Sequence, residues 1–236
     1  MGSVLLVLLV AAAANTRPAL EAMKPELERV AKNAIEIRYG ASGTLARQIE
    51  NGAPFDLFLS ADEETPLRLA RAGLLLKETP CYAVGVLVLV RARDAGFELP
   101  SRLDLSSAKL MAALPFRHIA LASPKSAPYG RAAREVLARL GIDAAVAERV
   151  VTAENVEQAL SFVRSGNAEL GFVSAANAIG SGLTFVPIDD TLYRPIRQHA
   201  GIVAASKQKE AAGRVLEQLL SPHGRSVWDR YGYRSP

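Results

Sequence analysis

Residues Ile35–Asp62 read IEIRYGASGTLARQIENGAPFDLFLSAD. Ile35–Tyr39 alternates apolar and polar side chains, the period of a half-buried strand. Thr44–Asn51 reads as a helix, with Gly52 as its stop. Phe55–Ser60 is again a strand. A strand, a helix and a strand in so few residues form the repeating unit of a parallel sheet covered by helices, and this sets the fold class as α/β. A glycine-rich turn, Gly40-Ala41-Ser42-Gly43, sits where the first strand hands over to the helix.

The same alternation continues in both directions. Upstream, Pro18–Ala34 carries Leu20, Met23, Leu27, Val30 and Ala34 at helical spacing. Pro18 suits a first helical turn, whereas Pro25 predicts a kink or an interrupted turn. Before it, Val4–Ala14 reads VLLVLLVAAAA. This run resembles the apolar core of an export signal, but no positive charge precedes it and it is too short to span a bilayer. It is expected to be a buried first strand and not an export signal.

Downstream, Glu63–Ala72 reads as a helix, Val84–Val90 as a continuous buried strand, and Ser106–Ala113 as a helix. Then come strand His118–Ala122, helix Arg131–Leu140, strand Glu148–Val151, helix Val156–Arg164 and strand Leu170–Val173. A helical turn at Ala175–Ile179, strands Thr184–Ile188 and Ile196–Ala204, and helices Lys207–Leu220 and Pro222–Tyr231 close the pattern. The expected fold is α/β with mostly parallel sheets. No linker rich in glycine, proline or serine divides the chain, so two lobes require chain crossovers. The strands near 84–90 and 196–204 are the candidate connections.

Composition narrows the function. The chain has 236 residues, of which 50% are hydrophobic and 22% charged, enough for a sizeable core and too apolar for disorder. A single cysteine, Cys81, excludes an intrachain disulfide framework and any multi-cysteine metal site. The net charge of +4 is spread along the chain without a basic stripe, so no nucleic-acid partner is expected. Nucleophile-elbow, P-loop and zinc-protease motifs are lacking. Cys81 and His118 read as structural, and Asp56 and Asp62 as caps or loop anchors. Arg17, Lys125 and Arg131 read as solvated charges that help attract anions.

The informative pattern lies at four strand-to-helix junctions. They are Ala14-Asn15-Thr16, Ala41-Ser42-Gly43-Thr44, Ala127-Pro128-Tyr129-Gly130 and Glu154-Asn155-Val156. Serine, threonine and asparagine are ordinary helix caps at such points. Taken together they have a second meaning, because α/β sheets bind ligands beyond the carboxyl ends of their strands, where helix N-termini point. Each such end carries unpaired N–H groups and about half a positive charge, so four converging ends suit a dianion. Asn15, Thr16, Ser42 and Tyr129 are the expected side-chain donors. A cage made of donors favours an oxyanion with no proton to give.

The same segments resemble the periplasmic molybdate-binding proteins of ABC importers. The match is densest over Ala41–Asp62 and extends through Ala11–Asn15, Ser123-Pro124, Pro128-Tyr129-Gly130, Glu154-Asn155-Val156, Leu170–Val173 and Arg230-Tyr231-Gly232-Tyr233. The resemblance implies a two-lobed type II periplasmic-binding-protein fold, with residues 1–82 and 197–236 in one lobe, 83–196 in the other, and an anion in the cleft. It implies Asn15 and Ser42, with Thr16 beside them, as ligands from the first lobe. Tyr129 and the backbone N–H of Val156 are those from the second. The chain departs from the family where many members have serine at Asn15 and a tyrosine at Ser174, so Ser174 joins the candidate ligands.

The implied function is non-enzymatic capture of molybdate, and of tungstate, for delivery to a membrane permease. The implied protein is a monomer, periplasmic or extracellular and membrane-tethered, with no cofactor and no bare metal ion. The alternatives are a receptor for a sulfate-like or other small solute on this fold, or the ligand-sensing domain of a transcription regulator.

Overall fold

The computed structural model describes residues 7–236. The strands are β1 (Val7–Ala13), β2 (Ala34–Gly40), β3 (Leu57–Leu59), β4 (Cys81–Gly85), β5 (Leu87–Arg91), β6 (Ile119–Ala122), β7 (Val150–Ala153), β8 (Leu170–Ser174), β9 (Thr184–Pro187) and β10 (Ile196–Ile202). The helices are α1 (Arg17–Ala31), α2 (Ser42–Glu50), α3 (Glu64–Arg71), α4 (Ala108–Ala113), α5 (Pro128–Arg139), α6 (Asp143–Val146), α7 (Val156–Arg164), α8 (Ala175–Ala178), α9 (Lys209–Leu220) and α10 (Pro222–Arg230). The described part of the apolar N-terminal run forms β1. Val4, Leu5 and Leu6 lie outside the described residues.

The chain divides into two units, one of residues 1–84 and 197–236, the other of residues 85–196. Each holds one five-stranded sheet, ordered β2-β1-β3-β10-β4 in the first and β7-β6-β8-β5-β9 in the second. Both sheets are mixed. The parallel part is β2-β1-β3 in one and β7-β6-β8 in the other. β10 runs antiparallel to β3, and β5 runs antiparallel to both β8 and β9. The parallel trios are the strands followed by helices, as parallel pairing requires a crossover.

In the first unit, β1 is covered by Leu45, Ala46 and Ile49 of α2 together with Phe55, Phe58, Leu69, Leu75 and Val203. In the second, Ala159, Leu160 and Val163 of α7 pack on Val88, Val90, Ala120 and Val173. Gly171 makes that packing possible, because a Cβ there would lie 2.6 Å from Val163 Cγ2.

Several elements differ from the sequence expectation. The apolar run Val84–Val90 is two strands, since β4 belongs to the first sheet and β5 to the second. Apolarity marked its burial but not the break at Val86, where the chain changes sheets. α1 continues through Pro25. Pro25 is exposed, so water can bond the carbonyl its missing N–H leaves open. α2 starts at Ser42 and α5 at Pro128, earlier than expected, which draws Ser42 and Tyr129 into first turns.

Candidate functional site

In the first unit, parallel pairing aligns Ala13 of β1 with Gly40 of β2, and Ala12 with Leu59 of β3. Asn15 and Ser42 therefore each stand two residues beyond a paired position, at the same edge of the sheet. β1 lies between β2 and β3, so its carboxyl end is the point where the strand order switches. The second unit repeats this design. Ala122 of β6 pairs with Ala153 of β7, and Ala120 with Gly171 of β8. The loops leading to Tyr129 and Val156 leave that one edge, and Ser174 ends β8.

The helix starts differ in what satisfies them. The single helical turn Ala14–Thr16, which leads into α1, has no side-chain cap, and neither do α2 and α5. At α2 the Ala41 carbonyl accepts from Thr44 and Leu45, both at 3.0 Å. The N–H groups of Ser42 and Gly43 are left without an acceptor among the described residues. Ser42 is 1% exposed. Its Oγ accepts from the Ala61 N–H at 2.9 Å, and its hydroxyl hydrogen has no acceptor among the described residues.

At α7, Asn155 Oδ1 accepts from Glu157 N–H at 3.0 Å and from Gln158 N–H at 3.1 Å. Gln158 Oε1 reaches back to the Glu154 N–H at 2.6 Å. This capping fixes the turn and leaves the Val156 N–H open, on a residue that is 3% exposed. At α5, Tyr129 is buried, while Gly130 and Arg131 donate to the Ala127 carbonyl at 3.0 and 3.2 Å. Gly130 seats this turn on β6, because a Cβ there would lie 2.1 Å from the Ala122 carbonyl oxygen.

The other candidates are engaged within the protein. Thr16 Oγ1 donates to the Ala13 carbonyl at 2.7 Å. Ser174 donates to Asn177 Oδ1 at 2.5 Å and accepts from the Asn177 N–H at 3.1 Å, so it caps α8. Asn15 Nδ2 donates to Gln198 Oε1 and to the Tyr233 hydroxyl, each at 2.9 Å. Its main-chain N–H remains in an uncapped first turn. The structure thus brings Asn15, Thr16 and Ser42 to one sheet edge, and Tyr129, Val156 and Ser174 to the corresponding edge of the other unit. Ser42 and Val156 each pair burial with an N–H that has no acceptor among the described residues, and Ser42 adds a hydroxyl hydrogen.

Sequence reasoning missed Gln198 of β10, which accepts from Asn15, and Tyr82 of β4, which donates to the same Gln198 oxygen. The signal was weak: Tyr82 is the one phenol in β4, but Gln198 lies between Arg197 and His199 in β10 and does not stand out by residue type. Asp56 anchors loops through Leu9 N–H at 2.8 Å and Ser206 Oγ at 2.6 Å, and Asp62 accepts from Thr65 N–H at 3.0 Å. Burial pushes the Cys81 thiol up, away from thiolate chemistry. Arg17 stacks on the Tyr39 ring at 4.1 Å. Among the described residues no group of three or more histidine, cysteine, aspartate or glutamate side chains could hold a metal ion. No described helix is long and apolar enough to cross a membrane.

A buried helix end with no partner for its N–H groups needs an outside acceptor. These edges offer donors and partial positive charge, which suits a small anion.

Comparison with known proteins gives the same picture. Residues 8–234 match the family described as bacterial extracellular solute-binding protein. The molybdate-binding protein ModA of Azotobacter vinelandii is 38% identical over 232 residues, covering 95% of this chain and 88% of the relative. ModA of Rhodobacter capsulatus is 37% identical over 94% of this chain and 86% of its own. The solved periplasmic molybdate-binding protein of A. vinelandii superposes with a TM-score of 0.87 at 34% identity, covering 97% of this chain and 99% of its own. The sulfate-binding protein SubI of Mycobacterium tuberculosis shares the fold, with a TM-score of 0.78 at 20% identity, over 97% of this chain and 86% of its own.

Proposed function

Because the chain belongs to the bacterial extracellular solute-binding protein family, we propose that it is the molybdate-binding component of an ABC importer. It binds its solute and does not transform it. The observation that supports this reading best is Ser42, which presents a buried hydroxyl hydrogen and a buried N–H together at an uncapped helix start. The likeness to two ModA proteins over nearly the whole chain supports molybdate as the anion.

Each unit supplies its own donors. In the first these are the Ser42 hydroxyl and the main-chain N–H groups of Asn15, Ser42 and Gly43, with Thr16 shaping the turn. In the second they are the N–H of Val156 and donors of Tyr129, with Ser174 holding α8 beside them. Such donors charge-match any tetrahedral dianion, and fixed donors distinguish among them by size. Tungstate, with the same charge and nearly the same radius as molybdate, binds as well. Sulfate, with shorter bonds, reaches fewer donors at once. The protein works as a monomer in the periplasm and hands the anion to an integral-membrane permease.

Calorimetry with molybdate, tungstate, sulfate and phosphate tests the assignment. Tight binding of the first two and weak binding of the others is expected. No heat with molybdate, alongside tight binding of sulfate or phosphate, would overturn it in favour of another oxyanion receptor.

A further inference from the structure

Asn15 occupies a helix start that offers donors to a ligand, yet its own carboxamide points into the first unit. One hydrogen goes to Gln198 Oε1 and the other to the Tyr233 hydroxyl, both at 2.9 Å. Tyr233 returns its hydroxyl hydrogen to the Asn15 carbonyl at 2.7 Å. Gln198 Oε1 also accepts from the Tyr82 hydroxyl at 2.8 Å, and that hydroxyl lies 3.0 Å from the Ser60 carbonyl. Asn15, Tyr82, Gln198 and Tyr233 are all buried. Trp228 closes the cluster, with its ring 5.1 Å from each of the Tyr82 and Tyr233 rings.

This bonding grips Asn15 twice, by its side chain and by its carbonyl. The Asn15 carbonyl and the Thr16 N–H share one rigid peptide plane, so Tyr233 sets the direction of that plane. The carboxamide bonds set the Cα–Cβ direction, and with it the direction of the Asn15 N–H. Burial also holds the Tyr233 phenol well above its ordinary value, so the hydroxyl stays a donor at any working pH. Tyr82 and Gln198 lie beside Val84 and Arg197, the residues at which the chain leaves and re-enters this unit.

We propose that Tyr82, Gln198 and Tyr233 are positioning residues for anion capture. Through Asn15 they fix the first helix start in its donor geometry and tie it to both strands where the chain crosses between units. Asn15 then serves the anion with its main chain, and its side chain is the handle by which the network holds it. The inference rests on the molybdate reading for its effect on affinity, though not for the anchoring itself.

The test is calorimetry with molybdate on Tyr233→Phe and Gln198→Leu, at a temperature where circular dichroism shows each variant folded. Dissociation constants about tenfold higher than the parent's are expected, as for loss of one hydrogen bond that orients a charged-group contact. Loss of molybdate-over-sulfate preference should accompany them. If Gln198→Leu does not fold, the milder Tyr82→Phe takes its place, with a smaller rise in the same direction. A lowered melting temperature with an affinity unchanged to within about twofold would assign the network to stability alone and overturn the proposal. If the parent itself binds no molybdate, the functional reading fails instead. The anchoring is then decided by amide exchange at Asn15 and Thr16 in Tyr233→Phe, where faster exchange upholds it and unchanged exchange removes it.

Discussion

Ser42 and Ser174 are both buried serines at helix starts, and they differ in where the hydroxyl hydrogen goes. Ser42 accepts from Ala61 and has its hydrogen unclaimed, whereas Ser174 gives its hydrogen to Asn177. Ser42→Ala is therefore expected to weaken molybdate binding by about 1.5–3 kcal/mol, the value of a hydrogen bond to a charged group. Ser174→Ala is expected to leave the affinity nearly unchanged and to cost about 1 kcal/mol of stability through the lost cap of α8. Calorimetry paired with thermal melts separates the two. Equal affinity losses in both variants would show that Ser174 also meets the anion. A second residue-scale prediction concerns Glu169, whose side chain is 16% exposed. Burial pushes its carboxyl up, but bonds from the N–H of His118 at 2.9 Å and from Arg117 outweigh this and hold it below its ordinary value of 4.5. A lowered folded-state value means stability that is complete above the ordinary value and is lost as pH falls through the lower one. Glu169→Gln should cost about 1 kcal/mol at pH 7, discounted for the exposed Arg117 partner, and the gap from the parent should close as pH falls from the ordinary value of 4.5 through the lower folded-state one. Urea titrations over this pH course measure it.

At the scale of elements, two glycines in helices carry opposite expectations. Gly130 sits in the first turn of α5, where an added Cβ would lie 2.1 Å from the Ala122 carbonyl oxygen. Gly130→Ala must push α5 off β6, at a cost of about 3 kcal/mol or more, and displace Tyr129 with it. Gly213 lies inside α9, where an added Cβ meets only Ile202 Cδ1 at 3.9 Å. Gly213→Ala should stabilise by about 0.5–1 kcal/mol, since the helix then loses less backbone freedom on folding. Denaturant unfolding of both variants checks the pair. The order of strands and helices was legible in the sequence because periodicity reports one-sided burial directly. Boundaries were less so. Val84–Val90 read as one strand, since β4 and β5 are equally apolar although they enter different sheets. The start of α2 at Ser42 was hidden because a serine before a helix looks like a cap, and the cap is instead Ala41, through its backbone.

For the whole molecule, ligand binding and folding are linked. A ligand that binds only the folded chain stabilises it by about 2.7 kcal/mol at a hundred times its dissociation constant. For a chain of this length that corresponds to a rise of about 5–10 °C in melting temperature. Molybdate and tungstate should produce it, and sulfate at the same concentration a much smaller shift. A sulfate shift as large as that of molybdate would remove the proposed size selectivity. The net charge of +4 adds a rate prediction. Association with a dianion should slow as salt is added, while dissociation stays nearly constant, as stopped-flow measurements of Trp228 emission would record.

By itself the sequence determined the α/β class, the order of its elements and the junctions at which helices begin. These follow from local periodicity, turn chemistry and composition, each of which acts over a few residues. It also showed, through the resemblance of Ala41–Asp62 and the other junctions, the kind of solute receptor to expect. Only the tertiary structure decided which polar hydrogens at those junctions are unclaimed. The Asn15 side chain looked like a ligand donor until Gln198 and Tyr233, 183 and 218 residues away, took both of its carboxamide hydrogens. A hydrogen bond is settled by where its acceptor lies in space, and partners so distant along the chain meet only once the sheet has formed.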